Sequence, residues 1–179
     1  SDAATVLLAL NRLWGLDLPR TELQALGLVL GADVPVFVFG RSAFAEGVGE
    51  ILTPWMPASA SYVVLTPQVH VSTPAIFAQS GLTRNTPSIR IADLFEGYGR
   101  NDLEPVACAL YPEVAEYLAW LNGQSGCSGQ ARMTGSGACV FAGFPCREDA
   151  ERVFALRPGH MNGFVADGLD LHPMYGYAS

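Results

Sequence analysis

Five short stretches of this chain carry side chains able to do chemistry. In Gly31-Ala32-Asp33-Val34-Pro35-Val36-Phe37-Val38 an acid stands inside an apolar run. Burying a carboxylate is costly unless hydrogen bonds or a cation meet it. Gly31 permits a sharp turn and Pro35 suits the first turn of a short helix, so Asp33 falls at a helix N-terminus, where the dipole favours negative charge. Two readings follow: a capping aspartate, or an ionised carboxylate that orients a hydroxyl and takes its proton. Ser1-Asp2-Ala3-Ala4 offers a hydroxyl at a helix start, where free N–H groups suit phosphate. Thr134-Gly135-Ser136-Gly137 is a small-residue turn whose glycines let a phosphate or another backbone come close, and it reads equally well as a plain hairpin. Thr73 and Phe77 stand four apart on one helical face, a hydroxyl beside an aromatic that can stack on a base or fill a core. Val48, bracketed by Gly47 and Gly49, is a small apolar contact exposed by a bend.

The totals narrow what such groups can serve. With 179 residues, 50% hydrophobic and 15% charged, the chain can build a packed core for one large domain or two small ones. A net charge of −7 argues against a nucleic-acid surface, so an anionic ligand must be held by local donors. No apolar run reaches the ~18 residues of a membrane span. The four cysteines, Cys108, Cys127, Cys139 and Cys146, form no CxxC pair and read as reduced thiols of a cytosolic protein. His70, His160 and His172 lack metal-ligand spacing, and no metal site is expected from side chains.

Helices and strands must position the five stretches. Val6, Leu7, Leu10, Leu13 and Trp14 recur at helical spacing behind Ser1, a good N-cap, and Gly15 closes that helix. A second helix opens at Pro19 with Leu23, Leu26 and Leu30 as its apolar face. Residues 42–52 read as two short strands around a glycine-bracketed bend. A Pro-rich segment from Pro54 to Ala60 marks a boundary. Beyond it the pattern predicts a buried strand at Tyr62–Thr66 and a helix starting at Thr73-Pro74. A turn of helix is expected near Ile91 to Phe95. Another helix follows from Asn101, and Pro112 starts its continuation or a second one, with Val114, Tyr117, Leu118 and Leu121 facing inward. Strands at 131–134 and 138–142, a helix at 148–156 and a strand at 163–166 complete a β-α-α-β-β-α-β order, with helices stacked on one face of an antiparallel sheet.

Taken in this order, the stretches resemble the GHMP kinase family. Ser1-Asp2-Ala3-Ala4 is similar to the end of that family's glycine-rich phosphate loop, Gly31-Ala32-Asp33-Val34-Pro35 to its catalytic segment, and Met133-Thr134-Gly135-Ser136-Gly137-Ala138 to its third glycine-rich motif. Phe44-Ala45-Glu46-Gly47-Val48-Gly49-Glu50, Ser72-Thr73-Pro74-Ala75-Ile76-Phe77 and Asn101-Asp102-Leu103-Glu104-Pro105-Val106 resemble the branch that acts on a cytidine diphosphate-linked methylerythritol in the non-mevalonate isoprenoid pathway.

The resemblance implies an α+β, two-lobe fold. Residues 1–60 would be the C-terminal part of the ATP-binding first domain, and residues 61–179 the complete second domain. It implies ATP and Mg²⁺, with phosphoryl transfer to the substrate's 2-hydroxyl. Asp33 would be the acid–base residue, a buried carboxylate facing a cleft between the lobes. Ser1 would sit against the nucleotide phosphates or their Mg²⁺. Thr73 and Phe77 would line the cytidine and sugar pocket, Phe77 on the cytosine with Val48 beside it, while Gly135 and Ser136 support the phosphate loop and the diphosphate.

In the family a lysine pairs with the catalytic aspartate, whereas this chain contains no lysine. The resemblance therefore implies a missing N-terminal segment of the same protein as a partner. The 179-residue chain alone is expected to be inactive or nearly so, with apolar surface on its first helix left open to self-association. Two other readings stay open at this level: a sibling kinase acting on mevalonate, homoserine or a sugar, and a non-catalytic relative.

Overall fold

The first thirty residues form two helices, as their periodicity predicts, but each turns a different face inward from the one its largest side chains suggest. In the computed structural model, which describes residues 1–87 and 100–178, helix α1 spans Asp2–Leu13 and α2 spans Arg20–Leu30. The buried residues of α1 are Ala4, Leu8 and Asn11, while Val6, Leu13 and Trp14 are exposed. In α2 Leu23 and Gly27 are buried, and Leu26 and Leu30 face out. The reason is the third helix, α3 (Val34–Phe39): a Cβ on Gly27 would lie 2.9 Å from Val34 Cγ1, so the small-residue face of α2 is the one that admits it. Buried Asn11 is satisfied by the α1–α2 connection, donating to the Leu18 carbonyl at 3.2 Å and accepting from the Leu18 N–H at 3.0 Å.

The architecture is α+β and divides into two compact units, Ser1–Ala58 with Leu169–Ser179, and Ser59–Gly168. In the first, Ala4, Leu8, Leu23, Val34 and Val38 form the core. The bend expected within residues 42–52 is there, as an antiparallel hairpin of β1 (Ala43–Glu46) and β2 (Ile51–Pro54). Residues 169–178, which the sequence groups with the second domain, pack in this first unit. The His172 N–H donates to the Gly40 carbonyl at 2.8 Å, and Met174 and Ala178 lie against the core. The Arg20 guanidinium, stacked 4.3 Å from the Tyr175 ring centroid, donates to the carbonyls of Val38 at 2.6 Å, Tyr175 at 2.5 Å and Ala178 at 2.6 Å.

The second unit is a four-stranded antiparallel sheet with helices on one face. Its strands are β3 (Ser61–Leu65), β4 (Arg132–Met133), β5 (Val140–Phe144) and β6 (Gly163–Asp167), in the order β4-β5-β3-β6. Strands β3 and β5 alternate as a half-buried sheet must: Val63 and Leu65 with Val140, Ala142 and Phe144 point into the core. Against them lie α6 (Pro112–Asn122), through Val114, Tyr117, Leu118 and Leu121 as expected, and α7 (Arg147–Ala155), through Ala150 and Val153. Two shorter helices, α4 (Thr73–Phe77) and α5 (Glu104–Leu110), stand between β3 and α6, so the described order holds one more helix than the predicted series. The helical turn expected near Ile91 to Phe95 lies outside the described residues. Among the described residues no helix is long and apolar enough to cross a membrane.

Candidate functional site

In the first unit the segment leading into α3 presents Asp33. Pro35 occupies the first turn, as expected, and Val34 and Val38 anchor the helix in the core. Two expectations are corrected. Asp33 is exposed, not buried, because the anchoring residues are its apolar successors and the chain turns the acid outward just before them. Nor does its side chain cap the helix: Asp33 has αR backbone angles (φ −83°, ψ −9°) in place of the extended ones a capping residue adopts, and it makes no capping hydrogen bond. Gly31 is extended at φ 166°, so the glycine the fold requires here is Gly27.

The Val48 bend lies beside this segment. Gly47 and Gly49 have φ of +71° and +106°, and a Cβ on Gly49 would be 3.4 Å from the Ala32 carbonyl oxygen. Glu50 stitches the bend by accepting the Val48 N–H at 2.7 Å, leaving the Val48 side chain 70% exposed. Ser1 occupies the N-cap position of α1. Its hydroxyl donates to Asp2 Oδ1 at 3.3 Å instead of receiving a backbone N–H, which leaves the first N–H groups of a twelve-residue helix without a side-chain cap.

In the second unit the structure brings Thr73 and Ser136 together: their hydroxyl oxygens are 2.7 Å apart, with Thr73 at the start of α4 and Ser136 in the turn between β4 and β5. The Ser72 hydroxyl caps α4 by accepting the Ala75 N–H, and the Tyr111 hydroxyl accepts the Ser72 N–H at 3.3 Å. Phe77, one turn on, is 48% exposed, so core packing does not consume its ring. Gly135 and Gly137 take φ of +56° and +99°, and no atom crowds Gly135.

Two residues that hold this turn carry no role in the sequence reading. Asn101 Nδ2 donates to the carbonyls of Met133 at 2.9 Å and Gly135 at 2.7 Å, and Glu104 Oε2 accepts the Met133 N–H at 2.7 Å. Both stand in the 101–106 stretch that resembles the family, and that stretch was the available signal. The neighbouring ion pair of Arg100 and Asp102 is 2.7 Å long, and hydrogen bonds from Thr86 and Arg100 hold the Asp102 carboxyl below the usual carboxylate range. Burial, aided by the Glu104 charge, raises the Cys108 thiol.

Chemically, the first unit offers an exposed carboxylate, a helix N-terminus and a hydroxyl. The second offers paired hydroxyls, an open glycine backbone and an exposed aromatic ring. Among the described residues no group of three or more His, Cys, Asp or Glu side chains could hold a metal ion.

Comparison with known proteins agrees with this division. The family model for the GHMP kinases N terminal domain matches residues 1–41, and that for GHMP kinases C terminal matches residues 85–155. A 4-diphosphocytidyl-2-C-methyl-D-erythritol kinase of Thiobacillus denitrificans is 63% identical over 177 residues, which cover 99% of this chain and 62% of that protein. The protein of the same name from Dechloromonas aromatica is 56% identical over 174 residues, covering 97% of this chain and 62% of its own. A crystal structure of a 4-(cytidine 5'-diphospho)-2C-methyl-D-erythritol kinase superposes with a TM-score of 0.68 at 33% identity, over 93% of this chain and 62% of that one. The chain thus spans 62% of the length of these curated relatives.

Proposed function

This chain belongs to the GHMP kinase family, and from that premise we propose that it serves the ATP-dependent phosphorylation of the 2-hydroxyl of 4-diphosphocytidyl-2-C-methyl-D-erythritol, in the non-mevalonate route to isoprenoids. The observation that carries the reading is 63% identity over 177 residues to a protein of that name. On the same reading residues 1–58, with the tail that follows Gly168, make up the ATP-binding domain, and residues 59–168 the substrate-side domain.

The residues take these roles. Asp33 orients the attacking hydroxyl and accepts its proton, and its exposure leaves the carboxylate open to a substrate. Thr73 and Ser136, with their oxygens 2.7 Å apart, form one polar patch that receives the sugar and diphosphate, supported by the Gly135 backbone. Phe77 stacks on the cytosine, and Val48 offers the substrate a small apolar contact. Ser1 and the α1 N-terminus hold the nucleotide phosphates, where free N–H groups and the helix dipole favour anions. ATP with Mg²⁺ supplies the phosphoryl group, and what the protein adds to such a loose transition state is chiefly positioning and charge neutralisation. The chain by itself turns over little on this reading, because it has no lysine to face Asp33.

Steady-state kinetics of the protein at its full natural length tests this. With ATP and the diphosphocytidyl alcohol, Asp33→Asn lowers kcat by at least ~100-fold while the melting temperature holds, the size of a lost general base. Cytidine nucleotides compete with the alcohol substrate. Turnover of mevalonate, homoserine or a sugar without cytidine competition would assign the protein to a sibling kinase instead.

A further inference from the structure

The Thr134–Gly137 turn has little of its own to keep it in one shape. Gly135 and Gly137 both sit in the left-handed region, where a glycine backbone has many alternatives. Inside the turn the fixed bonds are Thr134 N–H to the Cys139 carbonyl at 2.9 Å and Gly137 N–H to the Thr134 carbonyl at 3.0 Å. Outside the turn, the Thr73 hydroxyl meets the Ser136 side chain at 2.7 Å, and the restraint on the turn's backbone comes from the residues that lead into α5. Asn101 reaches across 34 residues of sequence to donate to Gly135, and the same nitrogen holds Met133. Its oxygen accepts the Leu103 N–H at 3.0 Å, which sets the orientation of the amide: the NH₂ must face the turn. Strand β4 is the edge of its sheet, and Glu104 takes the outward N–H of buried Met133 that no further strand would meet.

We infer that Asn101 and Glu104 are positioning residues for the reaction, holding the Gly135 backbone and the Ser136 hydroxyl where the substrate's diphosphate is received; this rests on the proposed function. The chemistry predicts an asymmetric pattern. Aspartate has the shape of asparagine but would set an oxygen against two carbonyl oxygens at 2.7 and 2.9 Å, so N101D is worse than N101A. Glutamine keeps an acceptor for Met133, so E104Q retains most of what E104A loses.

Two measurements test it. Amide exchange on the 179-residue chain follows Thr134 and Gly137, with Leu65 and Val140 of the sheet as internal references. N101D speeds exchange in the turn by at least ~10-fold and leaves the references unchanged, as local opening requires. In the full-length protein N101D raises KM for the diphosphocytidyl alcohol by about 10-fold, the worth of one lost hydrogen bond to a fixed group, while KM for ATP stays put. Unchanged turn exchange, or faster exchange throughout the sheet, overturns the inference; so does a KM for the alcohol that does not move. If N101D does not fold, N101A carries the same comparison. A full-length protein that phosphorylates no diphosphocytidyl alcohol sinks the proposed function, and exchange in N101D, and in E104A against E104Q, still decides whether Asn101 and Glu104 hold the turn.

Discussion

In the first unit the helix that follows Asp33 is held by a cation; in the second, the Ser136 turn is held by a neutral amide and a carboxylate. Arg20 receives its partners from 18 residues away at Val38 and from 155 and 158 residues away at Tyr175 and Ala178. Asn101 reaches only 32 to 34 residues, from the foot of one helix to the next hairpin. The guanidinium suits its task because its planar fork can serve several carbonyls and stack on Tyr175 at once. It also closes a unit whose core is small, whereas the turn in the second unit rests on a sheet backed by α6 and α7. The comparison teaches that the first unit relies on one side chain to join its small core to the tail, whereas the turn of the second rests on a larger core.

The sharpest way to break that contrast is Arg20→Ala. It strips charge-assisted bonds from carbonyls of α3 and the C-terminal tail, and should cost ~3 kcal/mol. Hydrogen exchange should then rise at Gly40 and His172 of the first unit and stay slow at Val63 and Val140 of the second. The converse substitution is Gly163→Ala. A Cβ there would lie 2.1 Å from the Val64 carbonyl oxygen, and β3 is an interior strand that cannot retreat. We expect a loss of ~2 kcal/mol by overpacking, read as a lower denaturant midpoint confined to the second unit. Tyr175→Leu removes only the ring under Arg20 and keeps the carbonyl bonds, so it should cost about 1 kcal/mol.

The smallest effect comes from acid. The Ser61 hydroxyl, at 2.7 Å, and then Arg147 hold the Asp167 carboxyl below its usual range. A depressed folded value means that the contribution is whole above the unfolded carboxylate pKa and is lost as pH falls through the folded one. The thermal stability of the second unit should therefore fall on acidification below the ordinary carboxylate range, and Asp167→Asn should flatten that slope. An unchanged slope in the variant would remove Asp167 from the account.

Much of the second unit was legible in sequence because its signals are local. Val114, Tyr117, Leu118 and Leu121 recur at helical spacing, and Pro112 marks where that helix begins. Residues 61–65 alternate in burial as a half-covered strand does. The first unit was less legible. Val6, Leu13 and Trp14 look like a core face and lie exposed, since what decided the matter was the close approach that Ala4 and Gly27 allow. The candidate site residues divide in the same way. Ser1, Asp33, Val48, Thr73, Phe77, Gly135 and Ser136 were all nameable from motif chemistry, yet Asp33's exposure and the roles of Asn101 and Glu104 were not.

The sequence by itself determined the element types, the α+β class, the family and the stretches in which chemistry is to be sought, because capping, periodicity and glycine-proline punctuation act over a few residues. Only the tertiary structure decided that the tail after Leu169 packs with the first unit, that Thr73 meets Ser136, and that Arg20 and Asn101 secure the two segments. Those are unions of groups separated by tens to more than a hundred residues. Each depends on a side chain reaching backbone carbonyls or a hydroxyl, and such partners leave no periodic mark on the chain.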